Sequence, residues 1–186
     1  MSNSLDALRH STSHVMADAV KRLFPDARLA IGPAIEEGFY YDFDKKEPFQ
    51  PEDLPAIENV MAEIIKENLE FKREEITRKE ALKLFAKEPY KMELINKLEG
   101  DMISVYSHGK FVDLCKGPHV KTTGEIKAFK LLSIAGAYWH GIETNPMLQR
   151  IYGTCFETSA ALQEYLTKIE EAKKRDHRKL DRKSVV

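Results

Sequence analysis

Apolar positions at steps of three and four residues predict the helices of this chain. Between residues 5 and 24 these positions form one stripe, with Ser4 before it as an N-cap and Pro25 after it. Thr77 and Glu80 have the spacing of a capping box, which predicts another helix start. The predicted helices span 5–24, 51–68, 77–88 and 90–98, and a last one begins near residue 158.

Alternation of apolar and polar residues predicts the strands. It is present over 71–76, and short apolar segments bounded by turn residues predict further strands over 29–33, 38–43, 103–106, 110–114, 129–132 and 149–152. Short turns containing glycine separate several of these segments, as in antiparallel hairpins. The sequence therefore predicts an α+β fold, in which an antiparallel sheet packs against helices and a C-terminal linker helix follows. We assign residues 1–157 to one domain and residues 158–186 to the C-terminal helix, a linker toward a domain outside this sequence.

The composition excludes several classes of protein. The 186 residues include 29 Lys and Arg against 30 Asp and Glu, so the formal net charge is −1 and the chain as a whole is no polybasic nucleic-acid binder. No apolar run approaches the roughly 18 residues that a membrane span needs, and the N-terminus lacks the pattern of a secretory signal. Two cysteines cannot build a disulfide framework. We therefore expect a cytoplasmic protein without a membrane partner.

One segment departs from this balance of charge. Residues 173–183 contain seven Lys and Arg against Asp176 and Asp181. This pattern is typical of a solvated helix end or a linker, and it also suits contacts with nucleic-acid phosphates. The composition leaves both interpretations open.

Two pairs of ligand-type residues share the same spacing. His10 and His14 lie at i and i+4 in the first predicted helix, which places both imidazoles on one face. Cys115 and His119 have the same gap, but a Gly-Pro pair lies between them, so this pair is predicted on a turn after a strand. Imidazole and thiolate are ligands that zinc prefers. The spacing does not decide between a zinc site and a metal-free acid–base cluster.

Other residues near these pairs are less informative. Asp113 precedes Cys115 by two positions and therefore faces the same side of its strand. The remaining histidines do not join the cluster by spacing. We expect His108, in a Ser-His-Gly turn, and His177, in the basic tail, to be exposed, and we assign no role to His140.

Several longer runs match one family of proteins. The sequence resembles the editing region of bacterial threonyl-tRNA synthetases, which is related to the editing domains of alanyl-tRNA synthetases. The runs that carry the resemblance, in the family's order, are HSTSH (10–14), AIGPAIEEGFYYDFD (30–44), VDLCKGPH (112–119), AGAYW (135–139), NPMLQRIYGT (145–154) and AKKRDHRKL (172–180). They cover nearly the whole chain, and the GFYY and MLQRIYGT runs favour the threonyl branch.

The resemblance implies an aminoacyl-tRNA deacylase, a hydrolytic activity within a threonine–tRNA ligase. Threonine and serine differ by one methyl group, which a synthetic site discriminates only about 10- to 200-fold. A second site would therefore hydrolyse the ester of mischarged seryl-tRNA(Thr). The implied partners are the acceptor end of tRNA(Thr) and serine, the amino acid that is released. Full-length members are expected to be homodimers, and no cofactor is expected to be required, although zinc can occupy the four ligands.

The resemblance also implies roles for particular residues. The residues expected in catalysis are His10, His14, Lys91, Asp113, Cys115 and His119. Among these, His10 is expected to position or deprotonate the attacking water, with His119 facing it. The same four residues, His10, His14, Cys115 and His119, are the metal ligands if a metal binds.

Three residues are expected to contact the substrate. Asp113 is expected to bind the substrate amine or to orient a histidine. Lys91 is expected to polarise the ester or to hold the ribose, and Tyr41 to line the pocket or to bind the adenosine.

A complete synthetase of this family would have a small domain before residue 1 and a class II catalytic domain after about residue 180. We therefore expect a fragment that neither binds ATP nor charges tRNA. A rival from a different class is a non-catalytic, zinc-stabilised tRNA-binding module, because the two ligand pairs permit either. A weaker alternative is a fragment kept for a regulatory interaction through its basic tail.

Overall fold

The computed structural model describes residues 2–183 of the chain, with the side chains of residues 4–180. The helices in this part of the chain are α1 (Ser2–Leu23), α2 (Asp53–Glu67), α3 (Arg78–Leu84), α4 (Pro89–Lys97) and α5 (Ser159–Lys183). The strands are β1 (Arg28–Leu29), β2 (Ala34–Ile35), β3 (Gly38–Asp44), β4 (Phe71–Thr77), β5 (Met102–His108), β6 (Phe111–Leu114), β7 (Ala128–Tyr138) and β8 (Met147–Phe156). Residue 1 of the predicted domain and residues 184–186 of the predicted linker lie outside the described residues.

The strands form two antiparallel sheets. The larger sheet has the order β1–β3–β8–β7, and β2 pairs with the beginning of β3. The smaller sheet has the order β4–β5–β6. The predicted α+β class, with antiparallel pairing and a C-terminal helix, is therefore confirmed. The sequence did not separate the two sheets, because a period of two tells which face a residue occupies and not which strand lies beside it.

Helix α1 lies at the centre of the fold and is buried on almost every side. It contacts β2, β3, β8 and α2, and Val15, Met16 and Val20 are fully buried. The buried hydroxyls of Ser11 and Thr12 need no water, because each donates to the carbonyl oxygen one turn earlier. A helix enclosed in this way has its side chains fixed by packing, which makes it a rigid support for a site.

Two predicted boundaries are wrong. Helix α1 begins at Ser2, so Ser4 lies within its first turn and is not an N-cap. Strand β5 continues to His108, and the turn falls on Gly109 and Lys110 instead. Gly109 has a φ of +57°, a conformation in which glycine carries no steric cost.

Candidate active site

Two local structures bring the predicted ligand pairs together. Helix α1 presents His10 and His14 one turn apart, on its side toward the small sheet. The turn of residues 115–119, which follows β6, folds over Tyr106 toward α1. Gly117 in this turn has a φ of +80°, and a Cβ added there would lie 2.6 Å from the Tyr106 hydroxyl oxygen. The turn therefore requires glycine at this position.

We call the four residues His10, His14, Cys115 and His119 the His–Cys cluster. One nitrogen or sulfur atom from each residue lies within 4.8 Å of all the others. The Nε2 atoms of His10 and His14 are 3.2 Å apart. The Sγ atom of Cys115 lies 3.5 Å from Nε2 of His10 and 3.1 Å from Nε2 of His119. The structure thus joins a pair on a helix and a pair on a turn that are more than 100 residues apart in sequence.

Hydrogen bonds on the far sides of two rings fix their tautomers. The Nδ1 atom of His10 lies 3.2 Å from the carbonyl oxygen of Pro118, which can only accept, so Nδ1 carries the proton. The hydroxyl of Ser11 donates its proton to the carbonyl oxygen of Ala7, so it accepts from Nδ1 of His119 at 2.9 Å. In both rings Nε2 is therefore the unprotonated nitrogen, and its lone pair points into the cluster.

Asp113 organises the buried side of the site. One carboxylate oxygen accepts a hydrogen bond of 2.7 Å from the hydroxyl of Tyr41, and the other lies 2.5 Å from Nζ of Lys91. None of these three side chains is more than 3% exposed. The oxygen that faces Tyr41 also lies 3.5 Å from Nδ1 of His14, whose Nε2 donates a hydrogen bond of 3.2 Å to the unprotonated Nε2 of His10.

Burial sets the protonation states of the cluster. It lowers the pKa of His10, of His14 and of His119 below the usual value for an imidazole, so these rings are neutral at neutral pH. It raises the pKa of the Cys115 thiol to about 11. At neutral pH the cluster therefore contains three uncharged bases and a protonated thiol, which is a weak nucleophile.

This set of donor atoms fits a metal ion. The ligand atoms of all four residues converge, and Nε2 of His10 and Nε2 of His14 lie 3.2 Å apart, joined by a hydrogen bond. A metal ion bound there would displace the proton of this hydrogen bond and the proton of the Cys115 thiol. Tetrahedral zinc, with bonds of about 2.0 Å to nitrogen and 2.3 Å to sulfur, places ligand atoms roughly 3.3 to 3.6 Å apart. The cluster, whose short distances are 3.1 to 3.5 Å, can hold such an ion.

Two polar contacts of α1 around the site were not predicted from the sequence. Ser11 also accepts a hydrogen bond of 3.0 Å from the backbone N–H of Val120, which ties the turn to the helix. His108 is only 1% exposed, and its Nε2 atom lies 3.0 Å from a carboxylate oxygen of Asp18. The prediction that His108 is exposed is therefore wrong. Both contacts could have been inferred from polar residues, Ser11 and Asp18, that lie among the apolar residues of α1.

The other unassigned histidine lies apart from the cluster. His140 contacts Glu93 at 3.0 Å near the surface, beside the buried Trp139. The carboxylate of Glu93 also accepts a hydrogen bond from the indole nitrogen of Trp139. Through these contacts His140 helps to pack the end of β7, and none of them reaches the His–Cys cluster.

A segment that contains β6, β7 and most of β5 and β8 matches a known family. Residues 103–152 match the model of the threonyl and alanyl tRNA synthetase second additional domain. This range contains Asp113, Cys115 and His119, which supply one half of the site. This part of the chain is therefore similar to a domain that these two kinds of synthetase share.

Individual relatives extend the match to almost the whole chain. The chain is 62% identical over 180 residues to the threonine–tRNA ligase of Acetivibrio thermocellus, a match that covers 95% of this chain and 28% of the relative. It is 58% identical over 178 residues to that of Dehalococcoides mccartyi, with 96% and 31% covered. It is 60% identical over 181 residues to that of Citrifermentans bemidjiense, with 96% and 28% covered.

The chain is thus homologous to one segment of the threonine–tRNA ligases, and it spans less than a third of the length of these relatives. The resemblance read from the sequence motifs is confirmed. Among the residues that the structure describes, no helix has the length and apolar character to cross a bilayer.

Proposed function

We propose that the chain is an editing module that hydrolyses the ester of mischarged seryl-tRNA(Thr). Water adds to the ester carbonyl, the bond to the ribose oxygen breaks, and serine and the free tRNA leave. The proposal rests chiefly on one observation, the convergence of three neutral imidazoles beside the buried ion pair of Asp113 and Lys91. Homology to threonine–tRNA ligases supports the choice of tRNA and of amino acid.

His10 acts as the general base in this proposal. It is only partly buried, and its Nε2 atom is the unprotonated nitrogen because Nδ1 donates to the carbonyl of Pro118. A neutral imidazole held in this tautomer accepts a proton from water as the water attacks. The proton that His10 takes from water then passes from its Nε2 to the leaving ribose oxygen, while His119 stacks on His10 with ring centroids 4.4 Å apart and holds that ring in place.

The buried residues hold the bases in place. Asp113 gives one oxygen to Lys91 and the other to Tyr41 and His14, so we assign it the orientation of His14 and not the binding of the substrate amine. Lys91 and Tyr41, both buried, then fix Asp113, a role different from the substrate contacts expected for them from the sequence. Cys115 serves as a polar neighbour of the bases, because its raised pKa keeps it a thiol.

If zinc binds, the His–Cys cluster holds it. Bound zinc would polarise an ester carbonyl or lower the pKa of a coordinated water. The protein side is prepared for a metal ion at two of the three imidazoles, since His10 and His119 each have a hydrogen-bond partner on Nδ1 that keeps Nε2 unprotonated.

A second function is favoured by the number of ligands. Four protein ligands close a tetrahedral zinc site, and closed sites are typical of structural zinc, whereas catalytic sites keep an open position. The chain would then be a zinc-stabilised module that binds the tRNA without hydrolysing it. Both functions would be carried out in the cytoplasm, where tRNA is charged. Both are also compatible with full-length proteins that form homodimers.

Single-turnover hydrolysis with the protein in excess separates these functions. We expect release of serine from seryl-tRNA(Thr) to be about tenfold or more faster than release of threonine from threonyl-tRNA(Thr). The reason is that the extra methyl group displaces the ester from groups that must align near 3 Å. Equal rates on the two substrates would refute editing, and tight binding without release would establish the binding module.

A further inference from the structure

The small sheet continues outward from the site across its strands. Tyr106 on β5 pairs directly with Asp113 on β6 and with Arg73 on β4. Directly paired residues of an antiparallel sheet share a face, and their Cβ atoms are about 5 Å apart. Asp113, Tyr106 and Arg73 therefore form one row of side chains, which we call the Tyr106 row and which is on the order of 10 Å long.

The Tyr106 row lies on the face of the sheet that meets the His–Cys cluster. The ring of Tyr106 lies 4.5 Å from the ring of His119, centroid to centroid. Exposure increases along the row: Asp113 is 1% exposed, Tyr106 is half-buried, and the side chain of Arg73 is 47% exposed. The row therefore leads from the buried end of the site to solvent.

The polar groups of the outer two residues are available to a ligand. The hydroxyl of Tyr106 makes no hydrogen bond to a residue that the structure describes, and it is not among the fully buried polar atoms. Arg73 pairs only with Glu75, at 2.9 Å between two exposed side chains. Exposed pairs of this kind contribute little to stability, so a phosphate can replace the carboxylate of Glu75 at small cost.

We infer that the Tyr106 row binds the last nucleotide of the RNA whose ester the His–Cys cluster hydrolyses, an inference that rests on the proposed function. Tyr106 contacts the terminal nucleoside, and Arg73 contacts the phosphate on its 5′ side. An aromatic ring beside a cation is the combination by which proteins hold single-stranded nucleic acid without reading its sequence. The direction of the row, from the cluster to the exposed edge, matches an RNA whose 3′ end carries the ester.

Lys72 provides a matched control within the same strand. It is a cation next to Arg73, its side chain is 62% exposed, and it pairs loosely with Glu70 at 3.8 Å. Because successive residues of a strand point to opposite faces, Lys72 lies on the face away from the cluster. The Lys72→Ala and Arg73→Ala variants therefore remove the same charge from the same strand, and only one of them alters the Tyr106 row.

The test measures binding of uncharged tRNA(Thr), with its 3′ end intact and with the terminal adenosine removed. In the unmodified protein, removal of the adenosine should weaken binding about 5- to 100-fold, the range for one stacked base. Tyr106→Ala should weaken binding of the intact tRNA by a similar factor, with no further loss when the adenosine is removed. Arg73→Ala should reduce the dependence of log affinity on log salt by about 0.7, and Lys72→Ala should leave it unchanged.

Three results would overturn the inference: equal binding of the two RNAs by the unmodified protein, absence of binding to either, or the same salt dependence for Arg73→Ala and Lys72→Ala. Arg73 is exposed, so its variant tests the row even if Tyr106→Ala disturbs the packing of His119. Release of serine is measured separately. If the protein binds the RNA as described but releases no serine, the proposed deacylase activity is refuted and the inferred RNA contact is still supported.

Discussion

Two rings of the His–Cys cluster are each oriented by one hydrogen-bond partner on the outer nitrogen. The carbonyl of Pro118 holds His10, the hydroxyl of Ser11 holds His119, and these contacts decide which nitrogen is free for chemistry. The sequence predicts the imidazoles from their spacing. It does not predict their partners, because Pro118 acts through its backbone and Ser11 through a side chain that looks like an ordinary helix residue.

Loss of either partly exposed imidazole should abolish most of the activity. We expect His10→Ala and His119→Ala each to slow release of serine by about 10²- to 10⁴-fold, the usual contribution of general acid–base catalysis. Circular dichroism and the melting curve should show that the fold is kept. His140→Ala, which changes a histidine outside the cluster, is the control. Near-normal hydrolysis by both folded variants would remove the cluster from the mechanism.

Two serines with buried hydroxyls should respond in opposite ways to the same substitution. The hydroxyl of Ser11 has three hydrogen-bond partners, so Ser11→Ala leaves groups of His119 and Val120 unpaired and should cost about 1–3 kcal/mol. The hydroxyl of Ser104 is buried and has no partner in the described part of the chain. Ser104→Ala should therefore be neutral or stabilising. Urea unfolding of the two variants measures both effects, and a similar cost for both would contradict this account.

At the scale of elements, Asp113 connects three of them. It lies on β6, its ion pair reaches Lys91 on α4, and its hydrogen bond reaches Tyr41 on β3. The small sheet, a helix and the large sheet are thus joined through one carboxylate. Since a buried charge without a partner is far more costly than a buried pair, these elements depend on one another.

Removal of this carboxylate should be strongly destabilising. Asp113→Ala leaves the ammonium of Lys91 buried and unpaired, and we expect a loss of about 3–5 kcal/mol in the free energy of unfolding. Adding Lys91→Met to the same protein should recover much of that loss. The exposed pair of Lys168 and Glu164 is the control, since Lys168→Ala should change stability by less than about 0.5 kcal/mol. Denaturation in urea would decide, and a failure of Lys91→Met to rescue would argue against the charge as the cause.

The elements themselves were predicted well where the signal was local. The capping box of Thr77 and Glu80 is confirmed, with both reciprocal hydrogen bonds present at the start of α3.

The error at His108 has a physical reason. The sequence Ser-His-Gly looks like a turn, but the pairing of His108 with Phe71 and Phe111 extends β5 by tertiary contacts that no local pattern contains.

At the scale of the whole molecule, charge is distributed unevenly. The first part of α5 packs on the large sheet, where the ring of Tyr165 lies 5.1 Å from that of Phe156. Residues 171–180 of the same helix are all exposed, including His177 as predicted, and they contain most of the basic tail. Their exposure agrees with both sequence interpretations, a solvated helix and a surface for phosphates.

Metal binding should be visible in the stability of the whole molecule, because the cluster joins α1 to the turn after β6. If zinc is bound, a chelator should lower the melting temperature sharply, and Cys115→Ala should lose the metal while His140→Ala retains it. Elemental analysis of the purified protein measures occupancy directly. An unchanged melting curve together with no detectable metal would show that the site works as a metal-free cluster.

The central position of α1 also has a consequence for the order of events during synthesis. This helix leaves the ribosome before β8, against which it packs and which is made more than 100 residues later. The donor atoms of the site are likewise separated by 105 to 108 positions in the chain. A nascent chain therefore displays the apolar side of α1 until β8 has been translated, and the four residues of the His–Cys cluster can meet only after His119 has been added.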